Sequence, residues 1–223
     1  SFLKEFLGLQ PPSAGTATVT GKPPQRGNKS LGYIPQHKHF DATVPLRGRD
    51  LVQLGLEGQK FGFMGVPHAA KRVSEAIAAV DATQFADQPI GMISGGEQQR
   101  LRIAQALVSD PKVLLCDEPF LSLDLSSQQT VTNLIHEYRM RTAAAVLFVT
   151  HEINPILPFV DRILYLANGR WIIDEPEIVL RSETLSDLYG VPIEVLRVHD
   201  RVLVVGADDT NGSLVGAHGG HHA

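Results

Sequence analysis

The sequence SGGEQQR at residues 94–100, followed by VLLCDEP at residues 113–119, decides the fold of this chain. Glycines at the start of a helix expose backbone N–H groups that can bind an anion. An apolar strand that ends in two carboxylates, Asp117 and Glu118, presents oxygen ligands suited to Mg²⁺. The two segments therefore predict half of a nucleotide site. The usual other half, a glycine-rich loop ending in Gly-Lys-Ser/Thr, does not occur in the sequence.

The composition is that of an ordinary globular chain with a sizeable core. Of the 223 residues, 43% are hydrophobic and 20% are charged. The net charge of -4, without a dense run of Lys and Arg, argues against a nucleic-acid partner. The single cysteine, Cys116, excludes an internal disulfide, and its apolar neighbours favour a buried thiol in a reducing compartment. The longest apolar run, 143–149, is far shorter than the about 20 residues that span a bilayer.

Apolar spacing predicts the elements before the signature segment and around it. Residues 2–7 have helical spacing, residues 16–20 alternate weakly as a strand, and residues 31–35 form a short strand. Helices are predicted over 69–80 and 98–108. The helix over 98–108 is predicted to carry an apolar stripe on one face and charges on the opposite face. The stripe consists of Leu101, Ala104, Leu107 and Val108.

The second half of the chain predicts a strand-helix-strand unit and two hairpins. The apolar runs 113–116 and 145–149 suit central parallel strands covered on both faces, joined by a helix over 126–141. Asn168-Gly169 favours a tight hairpin turn. A helix over 183–189 is expected to end at Gly190, before paired strands over 193–198 and 201–205; the tail from Ala207 is expected to be flexible.

Polar residues follow the predicted strands at positions that suit phosphate chemistry. Asp117 can hold Mg²⁺ directly or through water, and Glu118 can polarise an attacking water. His151 ends the next strand, at the same expected edge of the sheet, and Gln36 closes the strand upstream. Each residue alone is equally consistent with a plain strand cap, and Ser94-Gly95-Gly96 with a plain helix cap. Their fixed order along the chain favours the functional interpretation.

In this order the motifs resemble the ATP-binding subunit of ABC transporters. The resemblance lies in Gln36, the ISGGE signature at 93–97, the CDE of a Walker B strand at 116–118, the LD of a D-loop at 123–124, and the switch His151. It implies an α/β fold, namely a P-loop NTPase core of the ABC type with a mainly parallel sheet flanked by helices. The implied domains are a core at 1–40 and 111–180, a helical signature subdomain at 41–110, a C-terminal helix and hairpin extension at 181–206, and a flexible His-containing tail at 207–223.

The resemblance also implies a role for each residue. By it, Gln36 senses Mg²⁺ and the γ-phosphate of ATP, Asp117 supports Mg²⁺, Glu118 is the catalytic base and His151 contacts the γ-phosphate. Four signature residues face ATP held by the opposite subunit: Ser94, Gly95, Gly96 and Glu97. Glu97 stands where the family most often has Gln, which we interpret as a tolerated variation. Asp124 is placed at the dimer seam, beside the nucleotide.

The substrate branch is indicated by the segments after the switch histidine. Residues 150–158, 160–166 and 185–192 resemble the zinc, manganese or iron uptake branch of the family. The implied partners are a second ATPase subunit, forming a homodimer, membrane permease subunits and, indirectly, an extracytoplasmic solute-binding protein. The implied place is the cytoplasmic face of the membrane, with residues 51–62 contacting the permease. A non-transport ABC ATPase and a pseudo-subunit that completes a partner's ATP site remain alternatives.

Two further features carry weaker expectations. The tail histidines, His218, His221 and His222, suit Zn²⁺ but equally read as incidental. At the other end, Ser1 aligns with the second hydroxyl residue after a P-loop lysine, so the resemblance implies that Ser1 contacts ATP and that the chain begins just after that lysine. Gly21-Lys22 does not replace it, because Pro23 follows and the glycine spacing is wrong.

The missing lysine predicts a difference between the printed chain and a longer parent. The printed chain is expected to bind ATP poorly and not to hydrolyse it, whereas a parent with a complete P-loop does both. An ATPase assay on both lengths checks this. Turnover by the printed chain at the parent's rate would contradict it.

Overall fold

The computed structural model describes residues 2–36, 40–57 and 68–206. Contacts divide the chain into two compact units, one ending at Glu152 and the other beginning at Ile153, and each is described by itself. Ser1, residues 58–62 of the expected permease contact, and the whole tail with its three histidines lie outside the described residues.

Three parallel strands form the described sheet of the first unit. They are β1 (Leu31–Ile34), β2 (Val113–Asp117) and β3 (Ala145–Val149), in the order β1-β2-β3. Ile34 pairs with Cys116, and Asp117 pairs with Val149, so all three strands end at one edge. This confirms the predicted parallel sheet.

The two apolar strands of this sheet differ in burial. Leu114, Leu115 and Cys116 of β2 are at most 1% exposed, as predicted, and burial raises the pKa of the Cys116 thiol. The same prediction is wrong for β3, whose last four residues are only half-buried. Within the described residues β3 has a strand on its β2 side only, so fewer neighbours cover it.

The described part of the first unit contains five helices. They are α1 (Leu3–Phe6), α2 (Gly48–Glu57), α3 (Ala69–Ala79), α4 (Gly95–Leu107) and α5 (Leu125–Thr142), with a 3₁₀ turn at Ile90–Met92. The predicted helices are confirmed, although α4 begins three residues earlier than predicted. Its start is set by Ser94, which caps the helix and satisfies backbone donors that would otherwise lack partners.

The strand predicted over 16–20 is wrong. The structure has one isolated antiparallel pair there, in which the N–H of Val19 donates to the carbonyl of Lys22 at 2.8 Å. Thr20 and Gly21 have φ angles of 50° and 77°, so the chain turns back immediately after Val19. The turn leaves no length for a strand.

The charged face predicted for α4 is also wrong in part. Arg102 is only 8% exposed, and its guanidinium lies 4.5 Å from the centre of the Phe40 ring. The helix is covered on most sides because it contacts α2, α3, α5 and β1. The stem and guanidinium of Arg102 are therefore buried by neighbouring elements, which a helical wheel of α4 alone does not represent.

Two hairpins and two short helices form the second unit over residues 153–206, the part that the structure describes. They are β4 (Ile163–Ala167) with β5 (Arg170–Asp174), α6 (Pro176–Val179), α7 (Ser182–Tyr189), and β6 (Ile193–Val198) with β7 (Arg201–Gly206), both pairs antiparallel; a 3₁₀ turn lies at Leu157–Phe159. Asn168 and Gly169 have the predicted positive φ angles, 51° and 73°, and α7 ends at Gly190 with φ 75°. The hairpin and helix predictions are confirmed.

The hydrophobic core of the second unit contains residues from both predicted domains that meet at residue 180, the ATPase core and the C-terminal extension. Its buried members are Ile163, Val179, Leu180, Leu185, Ile193 and Val202. Asn154 adds a polar clamp, donating from Nδ2 to the carbonyl of Val202 at 3.0 Å and accepting from its N–H at 2.8 Å. The domain limits drawn from the sequence stay a prediction.

No helix among the described residues combines the length and the apolar character needed to cross a membrane.

A close approach of two helices gives a testable consequence. At Gly55, in α2, an added Cβ would press on the carbonyl of Gln105 and lie 2.7 Å from Cγ1 of Val108, both on the α4 side. Alanine is favoured over glycine in a helix by about 1 kcal/mol, but overpacking costs about 1–3 kcal/mol.

We therefore expect Gly55→Ala to lower the free energy of unfolding despite its better helix propensity. The measurement is chemical denaturation followed by circular dichroism. Leu54→Ala, at a neighbouring position that is 48% exposed, is the control and should change stability by about 0.5 kcal/mol or less. A stabilised Gly55→Ala variant would show that the helices can move apart freely.

Candidate functional site

Asp117 ends β2 and is held by a phenol from the neighbouring strand. The hydroxyl of Tyr33, on β1, donates to Oδ2 of Asp117 at 3.1 Å. Burial and the adjacent carboxylate together raise the pKa of Tyr33 to about 12, so the phenol keeps its proton at neutral pH. One carboxylate oxygen is thereby fixed, and the other remains available to a ligand.

Glu118 follows in an unusual backbone conformation. Its φ is 48°, in the left-handed region that a residue with a side chain adopts only at a cost of about 1–3 kcal/mol. Its N–H donates to the carbonyl of Val149 at 2.8 Å, which ties the turn to the end of β3. Such strain is concentrated at functional sites, where the surrounding structure maintains it.

His151 completes the cluster from the loop after β3. Its Nδ1 lies 2.8 Å from Oε2 of Glu118, within ion-pair distance when the imidazole is protonated. That oxygen is buried, yet it accepts no hydrogen bond of normal geometry from the described residues. A buried acceptor without a donor is costly, which indicates an atom kept for a ligand.

Gln36 lies exposed, two residues after the end of β1. Since β1 and β2 are paired in parallel, it follows the strand beside the one that carries Asp117. It therefore lies at the same edge of the sheet as Asp117, and its role at the nucleotide stays a prediction.

The signature segment forms a capping box at the start of α4. The carboxylate of Glu97 accepts from the backbone N–H of Ser94 at 2.8 Å and from its hydroxyl at 2.7 Å. In return, the N–H of Glu97 donates to Oγ of Ser94 at 3.4 Å. Glu97 thus binds the one side-chain hydroxyl of the signature, an interaction that the sequence analysis did not foresee.

Asp124 caps α5 close to the signature. Its two carboxylate oxygens accept from the N–H of Ser127 at 2.8 Å and from its hydroxyl at 3.2 Å. These bonds, led by the backbone one, lower the pKa of Asp124, which is ionised at neutral pH. Both side-chain oxygens of Asp124 therefore bind within its own helix cap.

The starts of α4 and α5 come together around a small cavity. A Cβ on Gly96 would lie 2.7 Å from Oγ of Ser127, so a larger residue at position 96 would displace the hydroxyl of Ser127. The cavity has a volume of about 190 Å³ and is lined mostly by polar groups: Ser94, Gly96, Glu97, Arg100, Ser126, Ser127 and Thr130. Two helix N-termini beside one polar cavity favour an anion.

The predicted residues therefore fall into two groups. Asp117, Glu118 and His151 form the carboxyl-edge cluster, with Gln36 at the same edge. The capping-box cluster consists of Ser94, Gly95, Gly96, Glu97 and Asp124, of which Ser94, Gly96 and Glu97 line the cavity. Sequence reasoning missed Tyr33, although the phenol of a tyrosine on a predicted strand needs a hydrogen-bond partner when it is covered. It also missed Ser127, for which the sequence holds no signal.

The carboxyl-edge cluster suits a hard cation that is bound partly by protein oxygens and partly by the oxygens of a phosphate. Among the described residues, no group of three or more His, Cys, Asp or Glu side chains could hold a metal ion by itself. Mg²⁺ commonly binds one or two protein carboxylates and completes its shell with water and substrate phosphates. The oxygen of Asp117 that Tyr33 leaves available, and the amide oxygen of Gln36, suit that role.

Comparison with protein families and curated proteins agrees with this geometry. The family model described as ABC transporter matches residues 1–121. A zinc import ATP-binding protein, ZnuC, of Pseudomonas entomophila is 33% identical over 224 residues, covering 98% of this chain and 79% of that protein. The ZnuC of Yersinia pestis is 32% identical over 190 residues, with coverage of 85% and 69%.

Solved structures show the same fold. An ABC transporter described as metal-chelate type, in an inward-facing conformation, superposes with a TM-score of 0.73 at 26% identity, covering 91% of this chain and 78% of that one. An ATP-binding cassette in a dimeric post-hydrolysis state, bound to ADP and Pi, gives 0.64 at 25% identity with 78% coverage of both chains. The chain belongs to the ABC transporter family and has the fold of that family's ATPase domains.

Proposed function

We propose that this chain is the ATP-hydrolysing subunit of a transporter that imports metal ions, with zinc as the first candidate. The observation that carries the hydrolytic part is the buried, undonated Oε2 of Glu118, which lies 2.8 Å from Nδ1 of His151. The metal substrate is supported by the two relatives named as zinc import proteins. Among the described residues, no group of His, Cys, Asp or Glu side chains is assigned to recognition of the transported ion.

Asp117 and Gln36 supply the oxygens at which Mg²⁺ would be held. When bound, Mg²⁺ neutralises charge on the phosphates of ATP and favours transfer of the terminal one. Tyr33 keeps the Asp117 carboxylate in one orientation through its hydrogen bond to Oδ2. The carboxylate therefore needs no reorganisation when the nucleotide arrives.

Glu118 is the group that orients and activates water. Its side chain is 23% exposed, which allows a water to reach it, while its backbone is fixed by the bond to Val149. A water at the exposed part of this carboxylate can donate a hydrogen bond to it. His151, with 69% of its side chain exposed, lies beside it and can donate to a phosphate oxygen.

The capping-box cluster is proposed to serve ATP held by a second copy of the subunit. The N–H groups at the start of α4 and the hydroxyl of Ser94 are the donors available to its phosphates. That hydroxyl donates to Glu97 in this structure, so a phosphate would compete for the same proton. Ser127 lines the same cavity and is bound by Asp124, and both residues would lie at the seam between copies.

The proposed assembly is a dimer of ATPase subunits on the cytoplasmic side of a membrane permease. The dimeric ATP-binding cassette among the structural neighbours supports the pairing. The permease contact is assigned to residues 51–62, of which 51–57 lie in α2. Co-purification with ribosomes or DNA instead of a permease would favour the non-transport alternative.

The role of Glu118 is tested in the full-length subunit, assembled with its permease in proteoliposomes. We expect Glu118→Gln to lower ATP hydrolysis and zinc uptake together by about 10²–10⁴-fold, because the amide cannot accept the proton of water. Glu75→Gln, an exposed carboxylate in an ion pair with Lys71, is the matched control and should leave both rates unchanged. Hydrolysis that survives Glu118→Gln would remove Glu118 from the mechanism, and uptake of another ion instead of zinc would correct the substrate.

The role of Tyr33 has its own test. Tyr33→Phe removes the donor to Asp117, so we expect the Mg²⁺ concentration for half-maximal hydrolysis to rise about tenfold. Binding of Mn²⁺ with nucleotide, followed by electron paramagnetic resonance, should weaken in parallel.

Tyr138→Phe is the matched control for that test. It also removes a buried phenol donor, which binds the carbonyl of Pro111 at 2.9 Å, remote from Asp117 along the chain. Both variants should lose about 1 kcal/mol of stability, but only Tyr33→Phe should alter the cation dependence. Equal cation dependence in both variants would reduce Tyr33 to a structural residue.

A further inference from the structure

Gln128, on the first turns of α5, joins two loops that approach it from different parts of the chain. Its side chain is 6% exposed. The amide Nε2 donates to the carbonyl of Leu123 at 3.2 Å and to Oε2 of Glu152 at 2.9 Å. Leu123 precedes the cap of α5, whereas Glu152 follows His151 directly.

The orientation of this amide is fixed, and it leaves an atom unsatisfied. Both neighbours of Nε2 are acceptors, so turning the amide would set its oxygen against a carbonyl and a carboxylate. In the observed orientation Oε1 is buried and accepts no hydrogen bond from the described residues. A buried carbonyl without a donor lowers stability, and a leucine of similar size would avoid that loss. Stability therefore does not explain the glutamine.

The loop that contains His151 is held through Glu152, whose backbone and side chain both form hydrogen bonds. Its backbone is tied to Thr150, whose Oγ1 accepts from the N–H of Glu152 at 3.0 Å and donates to its carbonyl at 3.1 Å. Its side chain is tied to Gln128. His151 lies between Thr150 and Glu152, so the position of the imidazole depends on these anchors.

The other loop leads to the capping-box cluster. Leu123 is followed by Asp124, whose carboxylate binds Ser127, and Ser127 lies against Gly96. Gln128 is thus in direct contact with the two loops that border different groups of functional residues. One group contains Glu118 and His151, and the other contains Ser94 and Asp124.

We propose that Gln128 is a positioning residue that couples these two loops. Its hydrogen bond to Glu152 holds His151 beside Glu118. Its hydrogen bond to Leu123 makes the position of His151 depend on the loop that contains Leu123 and Asp124. The inference rests on the proposed function, in which His151 acts on one ATP and the cavity receives another. Movement of the loop at Asp124 when a second copy binds would then be passed to His151 by one side chain.

The test replaces the amide without emptying its site. Gln128→Leu, in the full-length subunit assembled with its permease, should gain stability from removal of the buried oxygen. The two hydrogen bonds lost from Nε2 oppose this gain, so we expect a denaturation midpoint close to that of the wild type. The variant should lower kcat for ATP hydrolysis about tenfold, as expected for one lost charge-assisted hydrogen bond, with little change in KM for ATP.

Thr132→Val is the matched control on the same helix. Thr132 is 3% exposed, and its hydroxyl donates to the backbone carbonyl of Gln128 at 2.9 Å. The variant also exchanges a buried polar group for an apolar one, but it leaves the amide in place, so kcat should be unchanged. The proposal would be overturned if the loss of kcat in Gln128→Leu came with an equivalent loss of stability. It would also be overturned if Thr132→Val lowered kcat to the same extent.

A double-mutant cycle with Glu152→Ala tests whether Gln128 acts through Glu152. The single change at Glu152 should lower kcat to a similar extent, and the double variant should fall no further. Additive losses, or wild-type kcat in Gln128→Leu, would overturn the coupling. These results are separable from failure of the proposed function, which would appear as full activity in Glu118→Gln.

Discussion

Parallel pairing of β2 with both β1 and β3 is the constraint on which the candidate site depends. Because Asp117 pairs with Val149, and Cys116 with Ile34, the three strands stop at nearly the same level. The chain can leave β2 there only by a sharp turn, and Glu118 makes it in the left-handed region. The bond from its N–H to Val149 joins that turn to the neighbouring strand, so the backbone of Glu118 is fixed by the sheet itself.

Burial around this edge accounts for its electrostatics. The core strand β2 brings Asp117 to the boundary between an apolar interior and water, where a carboxylate is stabilised only if it has donors. Tyr33 is one such donor, and its raised pKa keeps it protonated. Glu118 is treated differently, since its buried Oε2 has no hydrogen bond of normal geometry from the described residues. Of the two adjacent carboxylates, that of Asp117 is therefore held by a hydrogen bond from Tyr33, whereas Oε2 of Glu118 is not held by one.

The capping-box cluster follows from a different local rule. Helix starts leave backbone donors unsatisfied, and both α4 and α5 satisfy them with side chains from their own sequence, Ser94 with Glu97 and Asp124 with Ser127. The contact of Gly96 with Ser127 then brings the two starts together. Gln128 extends this arrangement towards Glu152, so that a helix cap, a loop and the switch histidine become neighbours.

Local patterns were sufficient to predict the strands, the helices and the hairpin turn at Asn168-Gly169, because each depends on residues close in sequence. They failed at residues 16–20, where positive φ angles end the strand, and at Arg102, where packing from other helices covers a charge. The sequence by itself determined which residues end each strand of the parallel sheet and which side chains cap α4 and α5. Only the tertiary structure decided which of them touch: Tyr33 and Asp117 are 84 residues apart, and Gln128 and Glu152 are 24 apart. Such hydrogen bonds depend on the packing of whole strands and helices, which no local pattern encodes.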